Sequence, residues 1–119
     1  MPHIRNYLRS HRIRSGFSKR EMADIVGVIG EIQVGRHERS TAIPSLQVAL
    51  AYQALFKVSI ADLFPGLHEA IALSIEEHLA ALESRLHDRR EGGRAANEIA
   101  RKLVWLTERR SLTIADPTK

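Results

Sequence analysis

The sequence predicts an all-α protein made of five short helices followed by a helical hairpin. Apolar residues recur every three or four positions in the segments that begin at His3, Lys19, Ser45 and Leu67, which is the rhythm of a helix with one buried stripe. Serines stand at capping spacing, Ser18 three before Glu21 and Ser59 three before Asp62. Gly16, Gly27 and the Pro65-Gly66 pair punctuate these segments. A chain of 119 residues fits one domain, or one small domain with a helical appendage, and 44% apolar with 27% charged residues is the balance of an ordinary soluble protein.

Taken in order, His3 to Ser15 places Ile4, Leu8 and His11 at helical spacing with arginines between them, and Gly16 stops the segment. His11 is expected to be a partly buried packing residue. Lys19 to Val26 is a second helix, capped by Ser18-x-x-Glu21, burying Met22, Ala23 and Val26 and ending at Gly27.

The next stretch, Ile29 to Ser45, organises the rest of the chain. Its first part carries one inward aliphatic, Val34, flanked by Gln33 and Arg36, whose side chains have the donors and acceptors that meet base edges and phosphates. His37 falls three after Val34, so packing is its expected role. A glycine inside a helix costs about 1 kcal/mol relative to alanine, so Gly30 and Gly35 are expected to leave this helix loosely formed. Gly35 would also let a phosphate or base approach the backbone closely.

Pro44 or Ser45 opens a fourth helix with Leu46, Ala49, Leu50, Gln53, Ala54 and Phe56 in rhythm. Val58-Ser59-Ile60-Ala61-Asp62 starts a short fifth helix ending at Phe64, and Pro65-Gly66 reads as a domain boundary. Beyond it Leu67, Ile71, Ile75, Leu79, Leu82 and Leu86 form a long stripe. Glu91-Gly92-Gly93-Arg94 interrupts, and Ala96, Ile99, Leu103 and Leu106 resume. Residues after Ser111, ending in Asp116-Pro117-Thr118-Lys119, read as a frayed tail.

Charge is unevenly placed. Residues 1–64 hold nine Lys/Arg against five Asp/Glu, whereas residues 65–119 hold nine of each, so the net +4 belongs to the first half. A basic face favours polyanions through counterion release, and a plain solvated helix surface explains the same charge equally well. Cysteine is absent, which removes disulfides, thiolate metal sites and thiol nucleophiles. The six histidines include no pair four apart, and no metal or cofactor is expected. No apolar run approaches the ~20 residues of a membrane helix, and the arginine-rich start lacks a signal-peptide core, so a soluble cytoplasmic protein is expected. An enzyme is not expected: there is no glycine-rich phosphate loop, and Glu76 and Glu77 point to different faces of a helix.

Several landmarks occur in one order: Gly16-Phe17-Ser18-Lys19, Met22-Ala23-x-x-Val26-Gly27-Val28, Val34-x-Arg36-x-Glu38-Arg39, Pro44-Ser45-Leu46 and Val58-Ser59-Ile60-x-x-Leu63-Phe64. On these residues the chain resembles the Xre/Cro family of lambda-repressor-like helix-turn-helix DNA-binding regulators over roughly residues 4 to 65. It departs from that family by one extra residue between Val28 and Glu38, by Gly35 where serine is frequent, and by Ser40 where glycine usually follows the Glu-Arg pair. The resemblance implies a five-helix lambda-repressor-like domain over 1–65, while the apolar spacing beyond it gives a helical hairpin over 66–110 and a flexible tail over 111–119. It further implies double-stranded DNA as partner, contacted by Ser18, Lys19, Glu31, Ile32, Gln33, Gly35, Arg36, Arg39, Ser40 and Thr41. Arg12 and Glu38 are expected to form a structural ion pair, because family members with these two residues commonly join them.

The resemblance says little about the second half. A zipper-like stripe ordinarily serves as internal core, but a lone helical hairpin has little to bury against except itself, the first domain or a second copy. Leu79, Leu82, Leu86, Ile99, Leu103, Trp105 and Leu106 are the expected homodimer contacts. The leading expectation is a dimeric transcriptional regulator acting at a promoter operator. The alternatives are an antitoxin-type autoregulator whose hairpin binds a partner protein, and an interaction module that has lost DNA contact.

Overall fold

The computed structural model describes residues 5–89 and 93–113, and among them the chain is all-helical. It runs through α1 (Leu8–Ser15), α2 (Lys19–Val26), α3 (Glu31–Glu38), α4 (Leu46–Phe56), α5 (Ile60–Leu63), α6 (Pro65–Asp88) and α7 (Arg94–Arg109). It divides into two compact units, Met1–Ala72 and Leu73–Lys119. No helix among the described residues is long and apolar enough to cross a membrane.

In the first unit the helix ends follow local chemistry. Ser18 Oγ accepts from the Glu21 N–H at 3.0 Å while the Glu21 carboxylate accepts from the Ser18 N–H at 2.9 Å, so two donors at the start of α2 are satisfied reciprocally. Gly27 ends α2 at φ 82°, a left-handed conformation that a side chain resists. Ser45 and Ser59 cap α4 and α5 through the N–H groups of Val48 and Asp62.

These short helices close on a core of Leu8, Met22, Ala23, Val26, Val34, Tyr52, Leu63 and Phe64. Burying each of the larger of these side chains stabilises the fold by about 1.5–3 kcal/mol. Helices this short depend on such packing, since isolated helices of fewer than ~12 residues are marginal in water.

Four sequence expectations need correction. The first helix begins at Leu8 rather than His3, because Asn6 Oδ1 accepts from the Leu8 N–H at 3.0 Å and starts the helix there. His3 and Ile4 lie outside the described residues. Gly30 is not inside α3 but precedes it as the N-cap at φ 81°, so only Gly35 burdens that helix. In α4 the buried face carries Ala49 and Tyr52, with Val48, Ala51, Leu55 and Phe56 packed beside them, while Leu46 is 72% and Leu50 46% exposed. Tyr52 wins that face because its ring is large enough to reach the centre of the unit. Pro65-Gly66, finally, does not break the chain. Proline tolerates the first turn of a helix, where its missing N–H is not needed, so α6 starts at Pro65 and the division between units falls inside it.

The second unit holds the C-terminal part of α6 together with α7. Leu86 and Leu106 are buried in it, and Leu79, Leu82, Ile99 and Leu103 are half-buried. Arg109 pairs with Glu76 at 2.8 Å and Arg110 with Glu83. Each arginine holds its carboxylate partner below the usual range, chiefly through the side-chain hydrogen bond. The expected interruption at Glu91-Gly92 and the Asp116–Lys119 tail lie outside the described residues.

Candidate nucleic-acid interface

The position of α3 is fixed by polar ties to three other segments. Arg12 of α1 donates from Nε to Glu38 Oε2 at 2.6 Å and from Nη2 to Oε1 at 3.2 Å, and its Nη1 reaches the Phe17 carbonyl at 3.1 Å. Asn6 donates both hydrogens of its amide, one to the His37 carbonyl and one to Ser40 Oγ, each at 2.9 Å. That carbonyl lies in the last turn of α3, where intrahelical partners run out. The third tie comes from α4: the Tyr52 hydroxyl stands 2.8 Å from His37 Nδ1, with the two rings edge to face at 5.8 Å.

With its inner faces tied, α3 leaves one outward stripe. Ile32, Arg36 and Arg39 recur at spacings of four and three and are all exposed, Ile32 at 69%, with Glu31 beside them at the start of the helix. Thr41 is exposed as well, its hydroxyl donating to the Arg36 carbonyl at 3.3 Å. Ser18 is exposed and Lys19 half-buried at the start of α2. The Ser18 hydroxyl already accepts from Glu21, and the Glu21 carboxylate places negative charge at that helix end, which disfavours a phosphate there. Lys19 and the exposed Arg20 are the cations in the first turn of α2.

Three residues expected to contact DNA are less open than that stripe. Gln33, next to Ile32, is half-buried at the border of the outward stripe, with one side of its amide 3.3 Å from His37 Nε2, because residues four apart are neighbours on a helix. Gly35 is buried, and a Cβ built on it would stand 3.0 Å from Arg39 Nη1: the Arg39 guanidinium lies across the space a side chain would fill. Ser40 turns inward to Asn6 and takes φ 58°, the left-handed conformation that explains why glycine suits this position.

Comparison with family models, curated proteins and solved structures finds no match. The interface therefore rests on the chemistry of this chain alone.

Two residues that organise the site had weak signals in the sequence. Asn6 stands just before a helix, a common place for a residue whose side chain bonds the backbone, but its bonds to the far end of α3 join segments with no shared periodicity. Tyr52 looks like any aromatic on an apolar helix until His37 is found beside it. Burial pushes the His37 imidazole below its ordinary pKa and, with the nearby Glu38 charge, pushes the Tyr52 phenol up, so both are neutral at pH 7.

The residues expected at a dimer contact divide in two. Leu86 and Leu106 are spent inside the second unit and Leu79, Leu82, Ile99 and Leu103 mostly so, because the two stripes pack within one chain. Trp105, at 54% exposed, is the member of that set left open, with Val104 beside it at 57%. Among the described residues no group of three His, Asp or Glu is placed to hold a metal ion.

Proposed function

We propose that this protein is a sequence-specific double-stranded DNA-binding transcriptional regulator of the Xre/Cro, lambda-repressor-like type, acting as a homodimer at a promoter operator. In this reading α1 to α5 are the five-helix domain and α2 and α3 its helix-turn-helix. Helix α3 enters the major groove, and α6 with α7 forms the hairpin that meets a second copy. The carrying observation is the outward stripe of Ile32, Arg36 and Arg39 on a helix whose other faces are all tied down. A rigid helix presenting two arginines and an apolar residue supplies donors for guanine edges or phosphates and a surface for a thymine methyl. The net charge of +4 over residues 1–64 supports the same partner.

One such unit covers little DNA, and two copies reading half-sites about one helical turn apart, ~34 Å, would supply the missing contacts. A partner protein seated on Trp105 and Val104, as in an antitoxin-type regulator, is the second reading those exposed residues favour.

Selection of bound duplexes from a random pool at two salt concentrations tests the proposal. The expected result is an enriched inverted repeat with affinity that falls steeply as salt rises. A pool that returns no enrichment, with retention indifferent to salt, would leave only a protein-interaction module.

A further inference from the structure

The hydrogen-bond chain that runs from the core to α3 carries directional information. Tyr52 is fully buried, and among the described residues its hydroxyl has one partner, His37 Nδ1, at 2.8 Å. On the other side of the ring, Nε2 faces the amide of Gln33, whose nitrogen stands 3.3 Å away. A neutral imidazole has one N–H and one lone pair, so only two arrangements of protons exist.

In the first, Nε2 accepts from the Gln33 NH2 group, Nδ1 carries the proton, and Tyr52 must accept it. The phenolic hydrogen then has nowhere to go in a site closed to water, which costs the full desolvation of a donor. In the second, Tyr52 donates to Nδ1, Nε2–H donates to Gln33 Oε1, and every buried donor is satisfied. Half a turn about the last bond of Gln33 is all that separates the two, since amide oxygen and nitrogen occupy nearly the same space. Protonating His37 does not reverse the choice, because Nε2 remains a donor.

Resting on the reading of α3 as the groove-facing helix, we propose that Tyr52 and His37 turn the Gln33 amide so that its NH2 end faces outward, making Gln33 a donor-only reader. A glutamine free to present oxygen and nitrogen together matches adenine, which offers an acceptor beside a donor. Held by its oxygen, Gln33 selects edges rich in acceptors, guanine or thymine, and rejects cytosine. His37 and Tyr52 are positioning residues in this scheme, touching no base themselves.

Two measurements test it. Nitrogen-15 NMR of the His37 ring in the free 119-residue chain at pH 7.5, a working value above the ordinary histidine pKa of about 6.5, should give the Nε2–H tautomer. The Nδ1–H tautomer overturns the proposal. Selection from a random duplex pool should give, at one position of each half-site, a roughly tenfold preference for guanine or thymine over cytosine. Gln33→Ala should erase that preference at that position alone, and Tyr52→Phe should weaken it while leaving the others. Adenine at that position, or a preference indifferent to both variants, also overturns the proposal. Should Tyr52→Phe fail to fold, the wild-type tautomer and Gln33→Ala still decide. If wild type retains no duplex, the DNA-binding function falls and the donor-only reader falls with it, while the tautomer still reports which way the amide is turned.

Discussion

Arg12 grips Glu38 with two parallel donors, the shorter at 2.6 Å, in a place where the glutamate side chain is 3% exposed and the arginine 12%. Such a fork satisfies both carboxylate oxygens at once, which a lysine cannot do. The hydrogen bonds that Arg12 donates to Glu38 raise the Arg12 pKa against the opposing pull of burial. The pair joins α1 to the last residue of α3, so its loss would be felt at both the core and the outward stripe.

Arg12→Met leaves a carboxylate nearly out of water without its countercharge. The expected loss is about 3 kcal/mol, read as a fall of roughly 12–24 °C in Tm for a unit of this size. Arg12→Met combined with Glu38→Leu should recover much of it, because a buried pair replaced by apolar groups is far less costly than a pair broken on one side. A single variant that melts like wild type would show that the pair contributes nothing.

His37 should make stability depend on pH. Burial depresses its pKa in the folded state below the ordinary value of 6.5. Between the two values the unfolded chain binds more protons than the folded one, so the contribution is fully present above pH ~6.5 and is lost as pH falls toward the folded value. Thermal melts from pH 7.5 down to 5, a span chosen around that value, should show falling Tm in wild type and a shallower slope in His37→Gln. The carboxylates Glu76 and Glu83, whose pKa values lie below 4.5, report only at lower pH and do not mask it.

Gly35→Ala separates stability from binding. Alanine is favoured over glycine inside a helix by about 1 kcal/mol, and the new Cβ would meet only the flexible end of Arg39, at 3.0 Å. Because Arg39 is exposed its guanidinium can move away, so Tm should rise. DNA affinity should change at the same time, since Arg39 would be displaced from its resting place over α3. A rise in Tm with unaltered affinity would remove Arg39 from the interface.

What was legible in the sequence was local. The Ser18 and Glu21 box, the Gly27 stop and the burial of Met22, Ala23, Val26 and Val34 all follow from contacts within one or two turns. The burial of Tyr52 in place of Leu50 depends on what stands opposite α4, and no rhythm within α4 reveals that. The tie of Gln33 to His37 was hidden for a related reason: its face was assigned against Val34 and His37 together, yet a side chain four residues before His37 lies beside it. Pro65 misled because proline both ends and begins helices, and only the surrounding packing chooses. Nothing in spacing or composition links Arg12 to Glu38, and the family resemblance alone brings them together.

If the protein is a homodimer, its contact uses apolar surface that remains after α6 and α7 have packed, and that excludes Leu86 and Leu106. Val104 and Trp105, both more than half exposed, are neighbours on α7 and large enough to anchor an isologous contact. Val104→Glu with Trp105→Ser alters two side chains that are more than half exposed and leaves Leu86 and Leu106 in place, so helix content by circular dichroism should be unchanged. A two-fold contact meets each substitution twice, and the variant should run as a monomer by light scattering at micromolar concentration where wild type has twice the chain mass. A variant that remains folded and dimeric moves the contact off α7, and the apolar residues Ile43, Leu46 and Ile71 of the first unit, each more than half exposed, become the surface to substitute next. A wild type that is monomeric under these conditions removes the homodimer from the proposed function altogether.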